Sequence, residues 1–405
     1  MSLNVNKTRE DFPALQQSIK GRPPIYLDNA CMTMRPKQVI EAMNEYYYSY
    51  PACGERSQHA WGKRVTDKVN ESRKIISGFI NSRKEEEIIF TKNTTEGLNI
   101  VANSFDFGKK NTVLLSEKEH NSNLLPWLRL KQQDKINISF VKWDDNKGGF
   151  DVEDFKSKVK NAGLVSVVWT SNMDGSSSPV EKIVKISHEN KVPVMLDGAQ
   201  AVPHKTVDVK KLDVDFLAFS GHKMLGPTGM GALYGKKEML ERLSGLAVGG
   251  GTVFDSKYDS MVWEHLPERL EPGLQNYAGI IGMAAAAEYL KKIGMKDIES
   301  HEKKLNKMAT DGLLNAGATI LGPKDAELRS GIASFNIKGM DFHTLAIMLN
   351  ESKNIMIRSG RHCVHSWFNA NNVEGSARAS FYLYNSEEEV KIFNEEIMKI
   401  ARMAK

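Results

Sequence analysis

At 405 residues, 41% of them hydrophobic and 26% charged, the chain is long enough for two domains and apolar enough to bury a sizeable core, which excludes an intrinsically disordered polypeptide. Lys and Arg number 55 against 50 Asp and Glu, a formal net charge of +5 spread without long single-sign blocks, so neither nucleic acid nor a membrane surface is expected as a partner. The three cysteines, Cys31, Cys53 and Cys363, are odd in number and widely spaced, which fits a reducing cytoplasm better than a disulfide framework. Residues 1–24 are polar, with Asp11, Lys20 and Pro23 interrupting them, and do not read as a secretory leader; no run approaches a membrane span.

From about Tyr26 to Lys236, short apolar runs alternate with helix-like stretches, the pattern of an α/β domain around a mostly parallel sheet. Strands are expected at 87–91, 112–116, 137–143, 164–170, 193–197, 215–220 and 230–234. Open α/β sheets bind ligands in the crevice beyond the carboxyl ends of their strands, so chemistry should collect at those end residues. Beyond Gly249-Gly250-Gly251, helices over 276–293 and near 297–315 lead to strands near 332–336, 354–358 and 377–382, which read as a second, smaller domain. Residues 366–376, just after Cys363, read as a surface loop able to move.

The strand ends carry the following groups. Asn93-Thr94-Thr95-Glu96-Gly97 supplies hydroxyls and the N–H groups of a helix start, as a phosphate requires, although the same residues also make a plain capping box. His120 follows strand 112–116, where an imidazole can lie over a ring and pass protons; a histidine there is more often structural. Asn172, after strand 164–170, offers an amide to a ring hydroxyl or a substrate carboxylate. Val194-Met195-Leu196-Asp197 stops at a carboxylate, which can keep a pyridinium nitrogen protonated while Gln200 reaches the phenolic oxygen of the same ring; an aspartate here is also an ordinary helix cap. Ser220-Gly221-His222-Lys223 puts a lysine where partial desolvation frees its amine to form a Schiff base with an aldehyde, the everyday alternative being a solvated lysine. A phosphate cradle, a ring-facing histidine, an amide, a carboxylate with an amide, and a lysine thus follow one another at five strand ends, an order that independent chance explains poorly.

These motifs, with Tyr26-Leu27-Asp28-Asn29-Ala30, resemble the class V aminotransferase family and, within it, its cysteine desulfurases of the SUF-type or group II form, which are selenocysteine lyase-like. TTEG (94–97), EHNSNLLPW (119–127), DGAQ (197–200) and SGHK (220–223) stand in the family's order, and the resemblance covers nearly the whole chain. It implies a fold-type I enzyme dependent on pyridoxal 5'-phosphate (PLP), with a mostly parallel central sheet flanked by helices and a smaller α/β C-terminal domain. It also implies a homodimer whose site borrows residues from the partner subunit. The corresponding divisions are an N-terminal arm over 1–25 that packs with the small domain, a large PLP-binding domain over 26–275, and a small domain over 276–405. Carried over residue by residue, the cofactor contacts fall on Thr94, Thr95, His120, Asn172, Asp197, Gln200, Ser220, His222 and Lys223, with Gly251 reaching the partner's phosphate. No metal is expected.

In the second domain, Ile357-Arg358-Ser359-Gly360-Arg361-His362-Cys363 resembles the family's short catalytic-cysteine loop, and Gly375-Ser376-Ala377-Arg378-Ala379-Ser380 follows it. Sulfur abstraction needs a thiolate, and Arg361 and His362 flank the thiol as candidate cations that would favour one. Asn172, Arg358 and Arg378 are the candidates for holding the substrate, with bidentate pairing to its carboxylate assigned to Arg378. The expected reaction converts L-cysteine to L-alanine with Lys223, His120 and Cys363 as catalytic groups and leaves a persulfide on Cys363. That sulfur would go to an acceptor protein or an Fe-S scaffold, for assembly of Fe-S clusters or other sulfur-containing cofactors. The same residues also suit a selenocysteine lyase or cysteine sulfinate desulfinase, and the fold also serves PLP-dependent aminotransferases and epimerases. The chain departs from the family at Leu274, where a threonine usually supplies a phosphate hydroxyl across the dimer, and weaker PLP retention is expected. It departs again at Asn121, usually a second histidine, and at Cys31, usually a small residue near the substrate. Cys53 precedes the stretch Arg56 to His59 that borders the entrance; both extra cysteines read first as small packing residues, or else as partners of Cys363 in sulfur transfer or a disulfide.

Overall fold

Seven apolar segments pair into one sheet in the order Ile88–Thr91, Gly231–Gly235, Phe216–Ser220, Val194–Asp197, Leu164–Val168, Thr112–Ser116, Asn137–Val141. The computed structural model describes residues 3–145 and 149–403. Gly231–Gly235 runs antiparallel to both of its neighbours, and the remaining pairs are parallel. Helices cover both faces, so the central strands need apolar side chains on each side rather than in alternation; Phe216, Leu217, Ala218 and Phe219 are all fully buried. At about 1.5–3 kcal/mol for each large apolar side chain removed from water, this burial holds the sheet. Of the two edge strands, Asn137–Val141 is partly exposed and Ile88–Thr91 is buried. The expected strand 137–143 ends early because Trp143–Asp144 turns away to pair with Gly149–Phe150.

Register sets the functional edge. Val168 pairs with Asp197, Ser116 with Val141, and Gly231 with both Ser220 and Thr91, so the strand ends at Thr91, Ser220, Asp197, Val168 and Ser116 lie along one side of the sheet. Gly231 is required at this edge: a Cβ there would come within 2.6 Å of the Phe219 carbonyl oxygen and 2.7 Å of Asn93 Cα. Its absence lets the start of the helix Thr94–Ser104 close on the end of the strand Phe216–Ser220. Asn93 caps that helix by accepting the Glu96 N–H, and Leu98 and Val101 seat it in the core beside Leu233 and Ala218.

A second, antiparallel sheet has the order Thr319–Leu321, Ile332–Asn336, Ser376–Ser380, Arg358–Gly360. Ser376–Ser380 alternates cleanly: Ala377 and Ala379 join the apolar cluster of Phe335, Val390, Phe393 and Ile397, which leaves Ser376, Arg378 and Ser380 on the opposite face. The stretch expected as one strand at 354–358 is two, because Ile355–Met356 pairs in parallel with Ile25–Tyr26 before Arg358–Gly360 enters the sheet. Ser380 N–H donates to the Leu27 carbonyl, which lays residues 27–30 against this sheet and brings Asp28 and Cys31 to its junction with the larger one. The helix Tyr277–Ile293 buries Ile280, Met283, Ala287 and Leu290 in the core of the larger sheet. Near the N-terminus, Arg9 bonds the Tyr384 carbonyl and Glu389.

The expected mobile loop over 366–376 is corrected in its first half. His365–Ala370 is a helix, and Phe368 is fully buried with Val364, Met173 and Leu321. In sequence its Asn and Gly content outweighed two aromatic residues whose partners come from distant segments.

Candidate active site

One cleft between the edge of the larger sheet and the second sheet is lined by Thr94, Thr95, His120, Asn172, Asp197, Gln200, Ser220, His222, Lys223, Arg358, Cys363 and Arg378. Gly251 is not among its lining residues; it lies beside Glu271 and Gly273. Cys53 is also outside the cleft, exposed and 3.9 Å from the Tyr277 hydroxyl.

On the sheet side, Thr94 N–H donates to Ser220 Oγ at 2.8 Å and the two hydroxyls meet at 2.6 Å, which locks the helix start to the strand end. Thr95 Oγ1 reaches Ser122 Oγ at 2.7 Å. Asp197 Oδ1 accepts the Ala199 N–H at 3.0 Å; burial pushes its carboxyl pKa up, and Lys223 opposes that rise. A cation facing Asp197 is therefore what would restore its charge. Burial likewise pushes the Lys223 amine below its ordinary range, Asp197 pulling it back and Arg378 pushing it further down. Such an amine loses its proton more readily than a solvated lysine, as Schiff-base chemistry needs.

His120 caps the helix Asn121–Gln132 by accepting the Ser122 N–H at Nδ1, 3.0 Å. Burial, then the charges of Lys223 and Arg378, push it down to about 3. The ring is thus neutral near pH 7 with its proton on Nε2, which revises the expectation of a free proton shuttle: Nδ1 is committed, and only Nε2 remains to act. Burial and Lys223 push His222 down to about 4, while its carbonyl accepts the Thr33 N–H. Gln200 donates from Nε2 to the Ala30 carbonyl at 2.7 Å and leaves Oε1 without a partner. A bond from this side chain to a ring oxygen would thus use the second Nε2 proton.

The opposite wall holds two guanidinium groups. Arg358 and Arg378 are direct cross-strand partners, an arrangement that repels unless an anion intervenes. Asp28 supplies part of that anion, 3.2 Å from Arg378 Nη2 and 3.9 Å from Arg358 Nη1. Arg378 Nη1 also donates to the Asn172 carbonyl at 2.8 Å, and Asn172 Nδ2 to the His362 carbonyl at 2.7 Å. Cys363 is exposed, its carbonyl accepts the Asn121 N–H at 2.7 Å, and it and His362 both adopt left-handed backbone, φ 59° and 50°. Adjacent non-glycine residues in that region are costly and gather where a site must hold a reactive group.

Both residues expected to flank Cys363 as cations are engaged elsewhere. Arg361 donates from Nε to the Glu374 carbonyl and from Nη1 to Asn369 Oδ1, both at 3.0 Å. His362 is buried with Nε2 2.8 Å from Ser376 Oγ, and that burial, with Arg378 and Arg358 nearby, holds its pKa well below the ordinary value. Both residues brace the turn instead. Sequence reasoning also gave no role to Asp28, nor to Lys118, whose fully buried ammonium pairs with Asp145 at 2.6 Å and Asp174 at 2.5 Å and lies 4.9 Å and 5.7 Å from the rings of Trp143 and Trp367. It ties the His120 loop, the Asn172 loop and the helix after Cys363 to one charge. Within Glu-Lys-Glu it reads as a solvated residue, and no local signal marks it. Its neighbour Glu119 accepts from Ser116, Asn123 and Val168 and is pushed by burial up to about 7.

The profile of the class-V aminotransferases matches residues 25–393. The chain belongs to that family. It is 42% identical to a probable cysteine desulfurase of Pyrococcus abyssi over 97% of this chain and 98% of that protein. It is 36% identical to a cysteine desulfurase of Haloferax volcanii over 96% of this chain and 95% of that protein. Among solved structures, the apo cysteine desulfurase of Thermococcus onnurineus NA1 superposes with a TM-score of 0.94 at 38% identity, covering 100% of this chain and 99% of that one. The cysteine desulfurase CsdA of Escherichia coli superposes with a TM-score of 0.89 at 30% identity, covering 99% and 98%. The fold is therefore the fold-type I architecture, and PLP is the cofactor of the family. The cleft fits it: Gln200 Oε1, His362 Nδ1 and Arg378 Nε are buried, unpartnered polar atoms of residues that line this one cavity. Buried polar atoms without partners are rare, and three around one cavity call for a polar ligand.

Proposed function

We infer that the protein is a PLP-dependent cysteine desulfurase that converts L-cysteine to L-alanine and carries the released sulfur as a persulfide on Cys363. The observation that carries this reading is a half-buried lysine and an exposed cysteine on one cleft, with Asp197 on one wall and the Arg358–Arg378 pair on the other. Lys223 would anchor the cofactor, Asp197 and Gln200 would hold its ring, and Thr94, Thr95, Ser220 and His222 would hold its phosphate end. PLP, when bound, supplies an electron sink for the carbon that loses its proton.

Arg378, with Arg358 and Asn172, orients the substrate by its carboxylate, and the neighbouring Asp28 keeps the two guanidinium groups together in its absence. The Lys223 amine takes the Cα proton, and the neutral His120 ring presents Nε2–H to the cleft. The Cys363 thiolate attacks the substrate sulfur: the Sγ–S bond forms, the Cβ–S bond breaks with its electron pair going to carbon, protonation of that carbon yields the methyl group, and return of the proton from the Lys223 amine to Cα completes alanine.

The protein works as a homodimer. Leu246, Val248, Phe254, Met261, Val262 and Leu274 expose apolar surface on the stretch that holds Gly251, and a second copy covering it would put Gly251 near the partner's phosphate. Leu274, 75% exposed, has no hydroxyl to offer there, so PLP is held less tightly than a threonine would hold it. The division into an arm over 1–25, a large domain over 26–275 and a small domain over 276–405 belongs to the same reading. An acceptor protein or Fe-S scaffold in the cytoplasm takes the sulfur. The test is to incubate the purified yellow protein with L-cysteine and measure alanine and sulfide together, with and without reductant. Alanine from the native chain and none from Cys363→Ala is the expected result; full turnover by Cys363→Ala would reject it.

A further inference from the structure

The reaction above leaves the Cys31 thiol unused, although it lines the same cleft as Cys363. Its position is set by the fold: Cys31 N–H donates to the Asp28 carbonyl at 3.1 Å, and Ala30 N–H to Ser380 Oγ at 2.9 Å, which pins the segment to the second sheet. Arg358 Nη1 donates to Cys31 Sγ at 3.4 Å, and Arg358 opens the strand Arg358–Gly360 that runs straight into the Cys363 turn. Lys223 lines the same cleft as both thiols. Neither is in a disulfide. A cysteine serving only as a small apolar side chain would sit among hydrocarbon, whereas this one accepts a bond from a guanidinium in a polar cavity.

We propose that Cys31 is a second sulfur-carrying thiol, which takes the outer sulfur of the Cys363 persulfide inside the cleft. The proposal rests on the desulfurase reading. A persulfide lengthens the Cys363 side chain by one S–S bond, about 2.05 Å, and presents its outer sulfur to the cavity that Cys31 shares. In the transfer, the Cys31 thiolate attacks that outer sulfur. A bond forms between it and Cys31 Sγ, the bond to Cys363 Sγ breaks, and Cys363 leaves as a thiolate with the electron pair. The proton lost by Cys31 balances the one gained by Cys363, and no oxidant or reductant is consumed. Cys363 is thereby free for a second substrate before any acceptor arrives.

The PLP-loaded enzyme is mixed with L-cysteine without acceptor or reductant; the burst of alanine per subunit is measured, and trapped persulfides are mapped by mass spectrometry. The expected burst is about two alanines per subunit, with sulfane sulfur on both Cys31 and Cys363, falling to about one in Cys31→Ser. Because the readout is a stoichiometry, a slower variant remains interpretable, and the wild-type map decides without any variant. One alanine per subunit with sulfur on Cys363 alone overturns this inference while leaving the desulfurase reading intact. A Cys31–Cys363 disulfide with sulfide released also overturns it, since attack then falls on the inner sulfur. No alanine at all overturns both.

Discussion

Lys223 follows a strand that is buried throughout and stands one residue beyond backbone that hydrogen bonds across to Thr33, whereas Cys363 sits on an exposed turn with two consecutive left-handed residues. The lysine wall is held by hydrophobic burial, which is non-directional and spread over many side chains. The cysteine wall is held by a few directed contacts: Asn121 to the Cys363 carbonyl, Asn172 to the His362 carbonyl, Arg361 to Glu374 and Asn369, and Lys118 behind them. The difference fits the tasks proposed for each wall. A ring needs fixed partners at several points, while a sulfur carrier must meet a substrate on one side and an acceptor on the other.

The largest effect that would test this contrast is on the lysine wall. Lys223→Ala is expected to lower alanine formation on the order of 10⁴-fold or more and to abolish the visible absorption of the holoenzyme, whereas Cys363→Ser keeps the absorption and loses the alanine. A spectrum and an alanine assay on both variants suffice. Next, Lys118→Met leaves Asp174 buried without its cation and should lower stability by about 3–5 kcal/mol in urea unfolding. Pairing it with Asp174→Asn, which removes the orphaned charge and keeps an acceptor for Ser176, should recover part of that loss; no loss in Lys118→Met itself would mean that the cysteine wall does not depend on this charge pair.

The third prediction concerns pH. His120, pushed down to about 3 by burial, stays neutral in the fold at pH values where an unfolded histidine, with its ordinary 6.5, takes up a proton. Its contribution to stability is whole above pH 6.5 and is lost progressively as pH falls toward 3. His120→Asn keeps a helix-capping oxygen and removes the titration, so the loss of stability between pH 7 and 4.5 should shrink by about 2–3 kcal/mol. Glu119, raised to about 7, works in the opposite sense between its ordinary 4.5 and 7 and is untouched by the substitution, so the difference between the two proteins isolates His120.

Arg378→Lys should raise KM for cysteine about 10- to 100-fold with a smaller change in kcat, because an ammonium cannot serve Asn172, Asp28 and a substrate carboxylate with a planar fork. Steady-state kinetics would decide. The smallest effect is expected at Leu274→Thr, where one added hydroxyl across the dimer should slow PLP release by about 2- to 10-fold, measured by dialysis and absorbance. No change would mean that this side chain does not reach the partner's cofactor.

The sheet wall was legible because its residues are local to strand ends, and an apolar run followed by a polar residue marks each one. Asp197, Gln200, Ser220 and Lys223 could be placed in one crevice from topology alone. The cysteine wall was legible only as a motif. Arg361 and His362 read as cations beside a thiol, yet one guanidinium is turned to Glu374 and Asn369, and the imidazole is kept neutral by burial. A charge seen in sequence says nothing of its direction or its solvation. The stretch after Cys363 was read as a loop for a related reason: Phe368 becomes a core residue only when Met173 and Leu321 arrive from elsewhere in the chain.

The sequence by itself determined the α/β class, the positions of most strands along the chain, the family and the residue types gathered at the sheet edge, because periodicity and strand ends are local properties of a chain. Only the tertiary structure decided that Arg358 and Arg378 face each other over Asp28, that Lys118 is a buried anchor, and that Cys31 shares a cavity with Cys363. Those contacts join residues far apart in the chain, and their energies depend on burial and dielectric surroundings that exist only once the two sheets have closed on each other.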